Sequence, residues 1–438
     1  MHTLCDEFLD PLRLYATIRE LGKDPFILET TVKDKVGGGH TYIASDPSFV
    51  IEIGGKGTYI DGQKISDTSN PFQSLKTLSR KDCQEPLNGC FVGYVAYDAV
   101  QNIICGNVEE SSVFGFYKDI YVIDHQKRKL GRVLEGMEAQ VPKEVLSYAR
   151  DIDLPMDKSE YSKMSTDADE DMFVGMVNDA KEQIYSGDAF QVVLSREYRL
   201  RTSSDPFRFY RDLREINPSP YLFLMEFGSK SIAGSSPETM ASVKKNIVQV
   251  NPIAGTTRRG AGPEEDADLA ISLLEDEKER AEHIMLVDLA RNDVGKVSEP
   301  RTISIPTMMK VRKYSHVQHI ESEVTGVLRK GMTSFDAIEA SFPAGTLTGA
   351  PKIRAMEIID ELEMSKRRVY GGCVGYFNTN GNADTAIAIR MAEFDDVCRI
   401  RAGAGIVADS DPLSEFDETE RKMSALFSAF ERGCASSY

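Results

Sequence analysis

Positive charge is scarce in this chain. Its 438 residues hold 52 Lys and Arg against 69 Asp and Glu, a formal net charge of −17. That balance argues against nucleic acid or an anionic membrane surface as a partner, since both would repel it. Small anionic substrates stay open, because a local cluster of Arg, Lys and metal overrides the global sign. Long apolar runs are missing too, with none near the roughly 18 residues a membrane span needs. Asp6, Glu7 and Asp10 interrupt the stretch Met1 to Gly22, so it does not read as a signal peptide. The seven cysteines are scattered without close pairs, which suits a reducing cytosol better than a disulfide framework. His316 and His319 stand three apart, but no Cys or further His completes a zinc set. Internal repeats and low-complexity tracts are absent. A soluble, cytoplasmic protein is expected.

What is present is enough for a large core, with 41% hydrophobic residues. Residues 1–150 read as β-rich, with short runs such as Ser48–Ile53 and Val113–Ile123 broken by Gly and Asn. The stretch 151–170 is polar and acidic, contains Pro155, and reads as a linker. Residues 171–438 read as mixed α+β, packed with the N-terminal sheet into one unit. In that region Met172, Phe173, Met176, Val177, Ala180 and Ile184 recur at helical spacing up to Gly187. Phe190–Leu200 reads as a strand. Ile271–Val294 reads as a helix with Leu274, Ile284, Met285 and Leu289 on its core face, and another helix starts near Pro351 with Ile353, Met356, Ile359 and Leu362. Three strands are expected between Val369 and Ala408, the first two joined at Asn380-Gly381. Ser414–Arg432 closes the chain as an amphipathic helix.

Two glutamate pairs stand out. Glu279 and Glu282 share a helix face at i and i+3, and Glu415 and Glu418 repeat that spacing with Lys422 four residues on. Magnesium takes hard oxygen ligands, usually one or two carboxylates plus an anionic group of a substrate. A single such pair is also what a solvated helix face carries. In Arg399–Ile406, Gly403 and Gly405 lie inside a good strand, where glycine marks either close approach to backbone or a bulge. Arg390 shares parity with Ala386, Ala388 and Ala392, leaving space for a bidentate carboxylate. Gly345–Lys352 and Pro252–Thr256 are Gly/Thr turns, and the former lacks the Walker order. Gly371-Gly-Cys373-Val-Gly375 has nucleophile-elbow spacing, but strand rather than helix follows, so Cys373 reads as a buried strand residue.

These segments resemble the chorismate-utilising enzymes, and among them the large-subunit (component I) family of anthranilate synthases. The resemblance spans roughly 170–432 and rests on Pro252-Ile-Ala-Gly-Thr256, Glu282-His-Ile-Met-Leu-Val-Asp-Leu-Ala-Arg-Asn-Asp293, Phe342-Pro-Ala-Gly-Thr346, Gly349-Ala-Pro-Lys352, Tyr370-Gly-Gly, Ile389-Arg390, Gly403-Ala-Gly405 and Glu415-Phe-Asp-Glu-Thr419. It implies an α+β fold of two layered sheets flanked by helices. It also implies Mg2+ held directly by Glu282 and Glu418, with Glu279 and Glu415 supporting, against the ring carboxylate of chorismate. Gly255, Thr256 and Gly403, Ala404 and Gly405 then hydrogen-bond the substrate, Tyr370 and Arg390 hold its enolpyruvyl carboxylate, and Lys422 offsets the crowded carboxylates. Glu238 matches the acid that protonates the departing C4 hydroxyl, and His319 the histidine beside the ring in pyruvate elimination. An acid of that kind needs a raised pKa from desolvation or nearby carboxylates.

Two positions bear on which member it resembles. Gln191 stands where isochorismate and salicylate synthases carry a lysine base that activates water. Gln is no base, so ammonia fits as nucleophile. Ala254 stands where aminodeoxychorismate synthases often carry an attacking lysine. The expected product is anthranilate. The alternatives are aminodeoxychorismate synthase and a non-catalytic amino-acid-sensing subunit. No Cys-His-Glu set for a glutaminase is present, so a separate glutamine amidotransferase subunit is implied as the ammonia source. An effector pocket for tryptophan is implied by Ile27-Leu-Glu-Thr30 and Asn217-Pro-Ser-Pro220-Tyr221-Leu222, where Thr30 stands for Ser and Leu222 for Met. The pocket is assigned in part to the N-terminal region.

Overall fold

The computed structural model describes residues 8–31, 39–79, 88–104, 106–154, 160–313 and 317–432. Asp6, Glu7, Pro155 and His316 therefore lie outside the described residues.

Two sheets form the frame, and every strand pairing described is antiparallel. The first runs from Met137–Ala139 through Gly39–Ala44, Phe26–Thr31, Tyr221–Phe227, Lys230–Ser236, Met391–Phe394 and Cys398–Ile406 to Gln191–Thr202 and Tyr161–Thr166. The second runs from Ile253–Arg258 through Val317–Val327, Thr239–Lys244, Ala383–Ile387, Cys373–Asn378, Cys90–Val95, Ser112–Tyr117 and Val50–Gly54 to Gly57–Ile60 and Gln63–Ser66. In each sheet the early strands form one end and meet strands from later in the chain at a single junction: Phe26 stands opposite Met225, and Cys373 opposite Val95. The layered α+β fold is as expected.

Side chains of period two fill the space between the sheets. Phe26, Leu28, Phe223 and Met225 come from the first, and Val92, Tyr94, Val374 and Ala386 from the second. Each such buried aliphatic or aromatic side chain contributes about 1.5–3 kcal/mol relative to exposure. Helices cover the outer faces. Pro11–Leu21, Pro206–Ile216 and Pro412–Arg432 pack on the first sheet, and Pro71–Ser79 and Ser334–Ser341 on the second. Asp10 and Asp205 cap their helices by accepting from Leu12 and Phe207 N–H at 2.7 Å, each with Pro at the first turn.

Several expectations change. The helix read as Ile271–Val294 is two, Pro263–Glu275 and Glu277–Val297, because Asp276 ends one and caps the next by accepting from Glu279 N–H. Its core face is Leu286, Val287, Ala290 and Val294, whereas Ile284 is exposed, since the helix packs against the second sheet and not along the stripe expected. Ile353 is likewise exposed while Met356 and Ile359 are buried. Residues 373–406 hold four strands, not three. Arg390 sits between the second and third of them at φ 49, so it does not share strand parity with the alanines. Tyr161–Thr166, inside the stretch read as a linker, is an edge strand paired with Gln191–Thr202.

Candidate active site

The floor of the site is the strand pair Gln191–Thr202 and Cys398–Ile406. Their register is unbroken, with Val193 opposite Gly405 and Ser195 opposite Gly403, so the glycines are not a bulge. A Cβ on Gly405 would lie 2.7 Å from Gln191 Nε2; one on Gly403 would lie 2.7 Å from the Leu194 carbonyl and 3.2 Å from Tyr370 Oη. Glycine is needed at Gly403, where the neighbour is backbone, whereas at Gly405 it is the tip of a flexible side chain. Alternation sends Ala404 to the opposite face, among Phe173, Val192 and Leu194. Only its backbone borders the site. Tyr370 is buried, and burial pushes its hydroxyl up to about 12.

One wall comes from the second sheet. Gly255 adopts φ 67 at a register shift between Ala254 and Thr256, and its carbonyl accepts from His319 Nδ1 at 2.9 Å. Thr256 stands opposite His319, with Oγ1 3.1 Å from the same nitrogen. Burial holds the His319 imidazole below its ordinary pKa, with Arg390 and Lys422 adding to the effect. A neutral ring is therefore expected near pH 7.

Glu238 lies between strands Lys230–Ser236 and Thr239–Lys244. Burial pushes its carboxyl up to about 7, against the lowering influence of Thr346, Lys422 and Arg390. Thr346 Oγ1 donates to Glu238 Oε1 at 2.8 Å. The sequence motif contained Thr346, but nothing in its spacing pointed to this bond. Glu321, also not foreseen, is buried and raises the pKa of both Glu238 and His319.

The glutamate pairs lie on two helices, and the charge of one pair is felt by the other. Burial raises the Glu279 carboxyl, and Glu282 and Glu418 raise it further. Burial and Glu418 raise that of Glu415 as well, against Lys422 and Lys278. Lys422 Nζ stands 2.6 Å from Glu418 Oε1 and donates to the Gly403 carbonyl at 2.9 Å. Gln191 Nε2 donates to Glu282 Oε1 at 3.2 Å, while Gln191 Oε1 is buried with no partner. Among the described residues no three carboxylates or imidazoles converge into a set able to hold an ion as they stand. The donors are nonetheless hard oxygens crowded by like charge, with a vacant acceptor beside them, and in kind that suits Mg2+.

The residues expected at an effector pocket divide between two faces. Thr30 stands opposite Tyr221 on adjacent strands, and Tyr221 Oη reaches Asp384 at 2.8 Å and Thr239 at 3.0 Å between the sheets. Pro220 precedes Tyr221 at the strand start. Leu222 points the other way, into the core beneath the helices. Beside it, buried Glu29 accepts from Tyr210, Arg214 and Thr41. Cys373 is a buried strand residue, as read.

A carboxyl raised by burial, under the influence of arginine and lysine, suits an anionic substrate. The chain belongs to the chorismate binding enzyme family, which it matches over residues 26–428. Anthranilate synthase component 1 of Thermococcus kodakarensis is 53% identical over 423 residues, covering 96% of this chain and 97% of its own. The protein of the same name from Archaeoglobus fulgidus is 48% identical over 423 residues, covering 97% and 98%. The crystal structure of anthranilate synthase component I from Streptococcus pneumoniae TIGR4 superposes with a TM-score of 0.78 at 36% identity, over 90% of this chain and 94% of that one. The resemblance read from the motifs is borne out. Among the described residues no helix is long and apolar enough to cross a membrane.

Proposed function

We propose that this chain is the synthase component of an anthranilate synthase, converting chorismate and ammonia to anthranilate, pyruvate and water. The observation that carries it is Glu238, a carboxyl held near pH 7 by burial and aimed by Thr346. Relatives named for that activity match over nearly the whole chain.

In this reading Arg390 and Tyr370 bind the enolpyruvyl carboxylate, and the strand Gly403–Gly405 with Thr256 orients the ring. Ammonia bonds to C2 as both ring double bonds shift and the C4–O bond breaks, and the ammonium so formed gives up a proton. Glu238 gives its proton to the leaving oxygen, so water departs rather than hydroxide. A proton then leaves C2, the C3–O bond breaks, and the enolpyruvate released takes up a proton to become pyruvate. His319, neutral and oriented by Gly255, takes the C2 proton. Gln191 supplies no base, which keeps water a poor nucleophile beside ammonia. Mg2+, when bound by Glu282 and Glu418 with Glu279 and Glu415 behind them, would anchor the ring carboxylate.

Ammonia is expected from a separate glutamine amidotransferase subunit, in the cytoplasm. Tryptophan is expected to inhibit from the region of Thr30, Pro220 and Tyr221. Incubating the chain with chorismate, Mg2+ and ammonium tests the central claim. Fluorescent anthranilate formed without an added lyase supports it. A product that keeps the enolpyruvyl group would instead make the chain an aminodeoxychorismate synthase, and no product at all would sink the catalytic reading.

A further inference from the structure

Arg367 is among the largest fully buried side chains, 2% exposed. Its Nη1 donates to the Leu347 carbonyl at 2.6 Å and its Nη2 to the Val193 carbonyl at 2.7 Å. Nη2 also donates to Glu363 Oε1 at 2.6 Å, and Nε bridges both Glu363 oxygens at 3.0 and 3.1 Å. The guanidinium stacks 4.5 Å from the centroid of the Tyr97 ring. These bonds end on three separate pieces: the turn Gly345–Leu347, the strand Gln191–Thr202, and Glu363 just past the helix Lys352–Leu362.

An ion pair with Glu363 alone would neutralise the buried charge. The two bonds to backbone carbonyls do something more. A guanidinium has a rigid fork of donors, so it fixes the distance between the groups it bridges. Here it ties the carbonyl of Leu347 to the strand that carries Gln191. Leu347 follows Thr346 directly, and Thr346 Oγ1 is the donor to Glu238. A carboxyl held by one side-chain hydroxyl is only as well placed as the backbone that presents the hydroxyl.

We propose that Arg367 is a positioning residue for Glu238: by clamping the Leu347 carbonyl to the strand Gln191–Thr202 it keeps the Thr346 hydroxyl aimed at the carboxyl. This rests on the reading of Glu238 as the acid. The other charged groups facing Glu238 are Lys422, Arg390 and Glu321, none of which Arg367 bonds. Loss of the Thr346 donor removes a bond that favours the ionised carboxylate, so the carboxyl titrates higher.

The test is a double-mutant cycle on the full chain with Mg2+ and ammonium, using Arg367→Lys, Thr346→Val and the two combined. Arg367→Lys is expected to lower kcat by about tenfold or more while the chorismate KM stays within about twofold. In the Thr346→Val background the same change is expected to cost less than about twofold, because the path it acts through is already cut. Infrared difference titration of the Glu238 carboxyl, assigned with Glu238→Gln, is expected to move upward in both single variants. Losses that simply multiply, or a carboxyl titration unmoved by Arg367→Lys, overturn the proposal. Should Arg367→Lys fail to fold, Tyr97→Leu loosens the stacked guanidinium and is held to the same two criteria. If the unaltered chain makes no anthranilate, the acid reading falls, and the infrared titration still decides whether Arg367 acts through Thr346.

Discussion

Gln191 Nε2 donates to Glu282 Oε1 at 3.2 Å, which ties the strand that floors the site to the helix that carries one glutamate pair. The amide holds a carboxylate expected to bind metal without neutralising it. A cation at position 191 would compete with that metal for the same oxygen. Gln191→Lys is therefore expected to raise the Mg2+ concentration for half-maximal turnover by about tenfold or more. Magnesium titrations of both proteins at fixed chorismate check this, and an unchanged requirement would place the metal elsewhere.

Glu238 should govern the basic limb of the pH profile. Its carboxyl titrates at about 7 and acts protonated, so kcat should hold below pH 7 and fall as pH rises through it. Rates must be compared at equal free ammonia, since ammonium deprotonates over the same range. Glu238→Gln is expected to lower kcat about 100-fold or more. Because the folded pKa lies above the ordinary 4.5, protonation favours the fold, and that contribution is lost as pH rises through 7. Above pH 7 the Gln variant should thus melt no lower than the parent, and a lower melting temperature there would contradict the assigned shift.

The glutamate cluster predicts metal-linked stability. Glu279 and Glu415 are raised by burial and by their acidic neighbours, so an ion that neutralises the group should stabilise the fold. Millimolar Mg2+ is expected to raise the melting temperature of the chain by a few degrees. Glu418→Gln should remove most of that rise and abolish turnover. Calorimetry with Mg2+ and with Na+ at matched ionic strength separates binding from screening.

Gly403→Ala tests the floor. The added methyl would meet the Leu194 carbonyl at 2.7 Å and Tyr370 Oη at 3.2 Å. A rigid backbone oxygen cannot yield as a side chain can, so destabilisation of about 1–3 kcal/mol is expected, with a raised chorismate KM as Tyr370 is displaced. Urea unfolding and steady-state kinetics read the two effects separately.

Arg214→Met tests the polar cluster beneath the expected effector region. Arg214 donates to both oxygens of buried Glu29, at 2.6 and 3.0 Å. Its removal leaves that carboxylate with the Tyr210 and Thr41 hydroxyls and no counter-charge. A loss of about 2–4 kcal/mol in unfolding free energy is expected. A loss under half of that would mean that the ion pair contributes little.

Much of this site was legible in short motifs because each forms a local structure with one job. The spacing of Glu279 with Glu282 and of Glu415 with Glu418 fixes a shared helix face wherever the helix goes. The two glycines of 403–405 mark a strand over which something passes. What the sequence hid depended on partners distant along the chain. Thr346 and Glu238 lie 108 positions apart, and no periodicity links them. Ile284 looks like core by spacing, but the sheet meets that helix on another face. Arg390 reads as strand by alternation, whereas the backbone turns there into the left-handed region.

The junction of an early strand with a later one in each sheet also sets how the chain emerges from a ribosome. Cys90–Val95 pairs with Cys373–Asn378, so one of its edges waits for about 280 further residues. At ~5–20 residues per second that is roughly 14–56 s with an apolar strand edge open to pairing with other nascent chains. Production of active protein should then depend on holding factors, or on slow, dilute synthesis, far more than the stability of the finished fold would suggest.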